Sequence, residues 1–130
     1  MKTIKQTYHI KAPIEKVWQA LVDPKLVEAW SGSSAKMDGT VGTKFELWDG
    51  DVYGTNKEVA NPPAGGKKLV QEWYGGDWDK PSIATFTLAQ EGDNTKVDLV
   101  HEDVPDNEAS DIEDGWNRYY LGEIKKLLEK

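Results

Sequence analysis

Glu113–Lys130, EDGWNRYYLGEIKKLLEK, is the stretch whose reading decides the fold. Its apolar residues recur at helical spacing. Ile112, Trp116, Tyr119, Glu123 and Leu127 fall on one stripe, and Tyr120, Ile124 and Leu128 widen it. The same stretch holds Gly115 and Gly122, each of which costs roughly 1 kcal/mol relative to Ala inside a helix. The two lie seven residues apart, two helical turns, hence on one side of the helix. They are expected to let the backbone approach a sheet closely, with the aromatic residues facing that sheet. Ser110 and Glu113 stand at capping-box spacing, which places the helix start between Asn107 and Ser110.

Working back from this helix, the periodicity falls to 2. TKVDLVHED and SIATFTLAQ flank the turn EGDN, KLVQEWY precedes the loop GGDWDKP, and NPPAGGK has no strand propensity. GTKFELW and DVYGTNKEV flank Asp49-Gly50, a hairpin signal, and SSAKMDG is a candidate short strand. At the start, Ile4, Gln6, Tyr8 and Ile10 alternate with Lys5, Thr7, His9 and Lys11, the period of a strand with one apolar face. Pro13 fits the first turn of a helix whose stripe is Val17, Trp18, Leu21 and Val22. Asp23-Pro24 stops that helix, and Pro24 opens a second ending near Trp30. The reading is α+β: one strand, two short helices, further antiparallel strands to a total of six or seven, and one long C-terminal helix. One helix can cover that many strands only if the sheet curls around it.

The 130 residues suit a single domain over 1–130. Hydrophobic residues are 38% and charged residues 30%, ordinary values for a water-soluble chain. Six Trp and five Tyr are not ordinary, and build either a bulky core or an aromatic-lined pocket. With no Cys, disulfides, thiol catalysis and cysteine-ligated zinc are excluded. The two histidines, His9 and His101, are too few for an imidazole metal site. Glu46, Asp49 and Asp51 offer too few oxygens for calcium, and Asp49-Gly50 reads as turn chemistry. No cofactor motif is present. A net charge of −7 with scattered Lys and Arg argues against nucleic acid and against an anionic membrane. No apolar run has signal-peptide or membrane-helix length. A cytoplasmic monomer without membrane insertion is the expectation.

The order of elements resembles the helix-grip fold of the START-like superfamily. PIEKVWQALVDPKLVEAW is similar to its usual opening: a Pro-started helix, a D-P break and a second helix ending in Trp. Within it the chain resembles the activator of Hsp90 ATPase family, through KFELWDGDVYG (Lys44–Gly54), LVQEWY (Leu69–Tyr74), ATFTL (Ala84–Leu88), VDLVHEDVP (Val97–Pro105) and GWNRYYLGEIK (Gly115–Lys125). The likeness spans nearly the whole chain and is greatest to the C-terminal domain of the family's eukaryotic co-chaperone. That co-chaperone makes its main chaperone contacts through a further, N-terminal domain, to which nothing in these residues corresponds. The resemblance implies a curved antiparallel sheet gripping the C-terminal helix. For function it implies either chaperone binding or, as in the wider superfamily, a small apolar ligand between sheet and helix.

Three functional readings follow. In the first, a small apolar or aromatic ligand is bound without catalysis, in a cavity lined by Trp30, Phe45, Leu47, Trp73, Thr85, Leu99, His101, Trp116, Tyr119 and Tyr120. In the second, an Hsp90-type chaperone is bound and its ATPase stimulated. The acidic stretch EDVPDNEASDIED, with Asp106, Glu108 and Asp111, is then a docking patch or simply the solvated start of a well-capped helix. In the third, the chain is a cyclase- or hydratase-like enzyme with His101 and a tyrosine as acid and base. His101 shares the strand parity of Val97 and Leu99 and is expected to point inward. It serves a ligand there or is a satisfied core histidine bonded to Tyr119 or Tyr120. Trp73 is expected inside, and Trp78, in a Gly-rich loop, is a candidate lid.

Overall fold

A computed structural model describes residues 1–61 and 66–129. The alternating start forms β1 (Lys2–Ile10), with Ile4 and Ile10 buried. Pro13 sits just ahead of α1 (Ile14–Val22), outside its first turn, and Asp23 separates α1 from α2 (Pro24–Ser31). The Asp23 carboxylate accepts from the Lys25 N–H at 2.9 Å and so caps α2. Five further strands follow: β2 (Lys44–Leu47), β3 (Val52–Ala60), β4 (Lys67–Tyr74), β5 (Ser82–Glu91) and β6 (Asn94–Val104). The final helical stretch runs in three parts: α3 (Ala109–Gly115), one wide π turn over Trp116–Tyr120, and α4 (Leu121–Leu128).

The six strands make one antiparallel sheet in the order β1-β6-β5-β4-β3-β2, the curved helix-grip arrangement. The register stacks one inward row of Gln71, Ala84, His101 and Ile4, and a second of Leu69, Phe86, Leu99 and Gln6. In β3 the register slips between Asn56 and Glu58, an irregularity of the kind that bends a strand. Gly54 lies in the same strand with no room for a side chain, since a Cβ would stand 1.8 Å from the Glu72 carbonyl oxygen. The core sits in the resulting trough. Trp30, Phe45, Leu47, Trp73, Phe86, Trp116 and Tyr120 are all at most 5% exposed, and each large side chain so removed from water contributes about 1.5–3 kcal/mol.

Several expectations are corrected. SSAKMDG is not a strand; it makes a single bridge, Lys36 to Glu46. The β2–β3 connection is a hairpin, but its turn spans Trp48–Asp51, between the paired Leu47 and Val52. Trp48, Asp49 and Gly50 have φ of 50°, 55° and 91°, a run of left-handed backbone that is strained for Trp and Asp. The capping box does not form: Glu108 precedes the helix without a side-chain cap, and Ser110 lies inside α3. Most of the loop expected over NPPAGGK, residues 62–65, falls outside the described residues.

The glycines of the final helix are also explained differently. A Cβ on Gly122 would stand 1.7 Å from the Asn117 carbonyl oxygen, five residues back in the helix itself. Gly122 therefore makes room for the wide turn and not for the sheet. A Cβ on Gly115 would meet only Tyr119 Cδ2, at 3.9 Å, so no close packing requires that glycine. The wide turn inserts an extra residue into the helical period. The buried positions become Trp116, Tyr120, Leu121 and Ile124, while Tyr119 turns outward and is 60% exposed.

Candidate functional site

His101 arises from the period-2 pattern of β6 and is completely buried. The Trp116 indole N–H donates to its Nδ1 at 3.0 Å, and its Nε2 lies 2.7 Å from the Ser82 hydroxyl. Indole nitrogen can only donate, so Nδ1 is the acceptor and Nε2 carries the proton. Ser82 accepts from Nε2 and donates to the Trp73 carbonyl at 2.6 Å. The chain Trp116–His101–Ser82–Trp73 is thus matched at every link. Burial lowers the His101 pKa to about 4, as desolvation disfavours the imidazolium. A neutral histidine with both nitrogens engaged ties helix to sheet and has no lone pair free to act as a base. It is the satisfied core histidine, bonded to Trp116 and not to Tyr119 or Tyr120.

The trough behind this junction is packed. Trp30 lies 4.6 Å from Tyr120, Trp116 4.5 Å from Tyr120 and 5.4 Å from Trp73, ring centroid to centroid. These are aromatic contact distances. At the rim a cleft of about 210 Å³ opens, lined by Trp48, Val52, Trp73, Ile112, Gly115 and Tyr119, with Asp111, Trp116 and Tyr120 completing it. The β2–β3 turn supplies one wall and the bulged helix the other. Trp48 is fixed there by its indole N–H, which donates to the Ser31 carbonyl at 3.0 Å, and by the edges of Trp30 and Tyr120. Among the described residues, the Trp73 indole N–H and Tyr120 hydroxyl are buried with no hydrogen-bond partner. Burial pushes the Tyr120 phenol above its ordinary pKa.

Of the ten residues expected to line a cavity, Trp73, Trp116, Tyr119 and Tyr120 border this cleft. Trp30, Phe45, Leu47, Leu99 and His101 are core residues away from it. Thr85 has the wrong parity: its neighbours Ala84 and Phe86 are buried, and Thr85 is on the sheet's other face. Trp48, Val52, Ile112 and Gly115 were missed. The unneeded helical glycine was the one available sign. Trp78 is anchored, its N–H donating to Glu108 at 2.6 Å and its ring 5.8 Å from Trp73. Of the acidic candidates, Asp106 pairs with the chain's N-terminal ammonium at 2.7 Å, which holds its carboxyl below the usual range. Glu108 receives Trp78, and Asp111 stands at the cleft with no ion pair among the described residues. Among the described residues no group of three or more His, Asp or Glu is placed to hold a metal, and no helix is long and apolar enough to cross a membrane.

Comparison with known proteins bears on this geometry. The family model described as Activator of Hsp90 ATPase homolog 1-like protein matches residues 11–129. The activator of 90 kDa heat shock protein ATPase homolog of Dictyostelium discoideum is 29% identical over 127 residues, covering 95% of this chain and 32% of that protein. Homolog 1 of Homo sapiens is 29% identical over 128 residues, covering 97% of this chain and 36% of that protein. The chain therefore spans about a third of the length of the curated relatives it matches. A crystal structure of an HSP90 activator from Plasmodium falciparum superposes with a TM-score of 0.88 at 26% identity, covering 99% of this chain and 97% of that one.

Proposed function

This chain belongs to the Activator of Hsp90 ATPase homolog 1-like family, and from that membership we propose that it is a cytoplasmic, non-catalytic protein that binds an Hsp90-type chaperone and raises its ATPase rate. The observation that carries the reading is the filled trough. The space that would hold a ligand is occupied by Trp30, Phe45, Trp73, Phe86, Trp116 and Tyr120, so recognition falls to the outer surface. The similarity to a Plasmodium HSP90 activator, at a TM-score of 0.88 over 97% of that solved chain, supports it. The catalytic alternative loses its base, because both His101 nitrogens are engaged.

Stimulation needs no chemistry from this chain. An activator that binds the chaperone's ATPase-competent conformation more tightly than its resting one shifts the population toward it. A tenfold shift needs about 1.4 kcal/mol of differential affinity. The test is the steady-state ATPase rate of an Hsp90-type chaperone titrated with the protein. Saturable stimulation is expected. An unchanged rate, with no complex by calorimetry, would overturn the reading.

One observation favours a second reading, the binding of a small ligand. The rim cleft is lined by aromatic rings, and the Trp73 N–H and Tyr120 O–H beside it lack partners among the described residues. Its roughly 210 Å³ is below the range of about 300–1,000 Å³ usual for ligand pockets. That limits an occupant to one or two rings and excludes a sterol or fatty acyl chain. Saturable shifts of the Trp48 and Trp73 indole NMR signals on titration with indole or p-cresol would support it.

A further inference from the structure

We propose that the rim cleft is the receptor for one apolar or aromatic anchor side chain of a partner segment with basic residues beside it, and that Gly115 keeps the cleft open. The proposal rests on the chaperone-binding reading and names the surface that would serve it.

Gly115 is the observation that starts the argument. A glycine inside a helix is destabilising relative to alanine, and natural helices keep one where packing requires it. Gly122 has such a reason in the wide turn. Gly115 has none: its backbone is ordinary helix and a Cβ would fit, with only Tyr119 Cδ2 nearby at 3.9 Å. Gly115 does line the cleft. A longer side chain there would project into it, so the missing side chain preserves a hollow that the fold does not need.

The remaining walls agree with a docking role. Trp48 holds a left-handed backbone, φ 50°, at the opposite wall, and strained residues of this kind cluster at ligand clamps. The wide turn that begins at Trp116 places Tyr119 outward at the rim with 60% of its surface exposed. An exposed tyrosine beside an apolar hollow is the composition of an interface anchor point. The size decides the kind of occupant. A cavity of about 150 Å³ holds one benzene ring, and this cleft, at about 210 Å³, holds one Phe, Leu or Trp side chain.

Charge decides the rest. Asp111 stands at the cleft and lies outside every ion pair among the described residues, while Glu113 is exposed two residues further along and Asp114, one turn on, is held by Arg118 at 2.9 Å. An anchor flanked by Lys or Arg would place its cation against Asp111 and the face of Tyr119. An anchor flanked by acids would be repelled by a chain of net charge −7.

The experiment is calorimetric titration of an Hsp90-type chaperone with the wild-type chain and three variants. Gly115→Leu, which fills the cleft from within, is expected to weaken binding at least tenfold while the protein melts no lower than wild type. Asp111→Lys is expected to weaken binding severalfold and to flatten its salt dependence. Asp93→Lys, in the β5–β6 turn at the far end of the sheet, is the charge control and is expected to bind as wild type does. If wild type and Gly115→Leu bind equally, this proposal is overturned and chaperone binding stands. If wild type does not bind at all, the chaperone reading fails and takes this proposal with it. If Gly115→Leu abolishes indole-induced NMR shifts but leaves chaperone binding unchanged, the cleft belongs to a small molecule and the proposal is again overturned.

Discussion

On the inner side of Trp116, the indole N–H, both nitrogens of His101 and the Ser82 hydroxyl are matched in one closed chain of hydrogen bonds, with every ring in contact with another. On its outer side, within three residues along the same helix, lie a glycine that nothing requires, an exposed tyrosine and an unfilled hollow. The inner region is what holds the helix in the sheet. The outer one holds a glycine that no close packing requires, and it is the surface our proposal gives to a partner. The difference teaches that residues adjacent on one helix stripe need not share a role, because a single extra residue in one turn separates them.

The largest test of this division is a pair of truncations. Trp116→Ala removes a buried indole and leaves His101 Nδ1 without its donor. It is expected to cost about 3–5 kcal/mol, seen as a lower urea midpoint at constant slope. Tyr119→Ala, three residues on, should fall within about 0.5 kcal/mol of wild type. Comparable losses from the two would erase the boundary.

A second test uses pH. His101 titrates near its ordinary value of about 6.5 when unfolded and at about 4 when folded. Between those values the unfolded state holds a proton the folded state lacks. Stability is therefore full above about pH 6.5, falls as the pH drops toward 4, and changes no further through this group below that. The loss approaches about 3 kcal/mol. Denaturation curves at pH 7, 5.5 and 4.5 should show it, and the same slope should vanish in His101→Gln. The carboxyls of Asp106 and Glu129, held low by the N-terminal ammonium and by Lys125 respectively, act in a lower window and remain in the variant. A slope that survived in His101→Gln would mean that the junction is not closed.

Much of this was legible in the sequence, and what was not has identifiable causes. The parity of Val97, Leu99 and His101 placed the histidine inward, and that of Leu69, Gln71 and Trp73 placed the tryptophan beside it. Period-2 alternation survives in the fold because each strand pairs regularly. The helix stripe was read with an unbroken 3.6 period, and the wide turn at Trp116–Tyr120 broke it, which sent Tyr119 out. Nothing in WNRYY announces such a turn. Gly122 is its trace, but a glycine serving a bulge looks the same in sequence as one serving a close approach to a sheet. Thr85 was a plain parity error, since Phe86 and Leu88 had already fixed the inward face of β5. Trp48 was out of reach for another reason: WDG signals a turn, and only in the folded chain does its left-handed backbone set the indole at one wall of a cleft.

The two glycines give the smallest effects and the finest distinction. Gly122→Ala drives a Cβ against the Asn117 carbonyl, which must move for the wide turn to persist. Overpacking of this kind costs about 1–3 kcal/mol, and if the turn instead closes to a regular helix, Tyr119 rotates and its ring signals shift in NMR spectra. Gly115→Ala meets no obstacle. It should stabilise the protein by up to about 1 kcal/mol, through helix propensity and through the smaller freedom of the unfolded chain. Opposite signs from the same substitution, two turns apart, would show that one glycine serves the architecture and the other does not. Were Gly115→Ala destabilising as well, its place would be explained by packing, and the hollow beside it would need no partner to account for it.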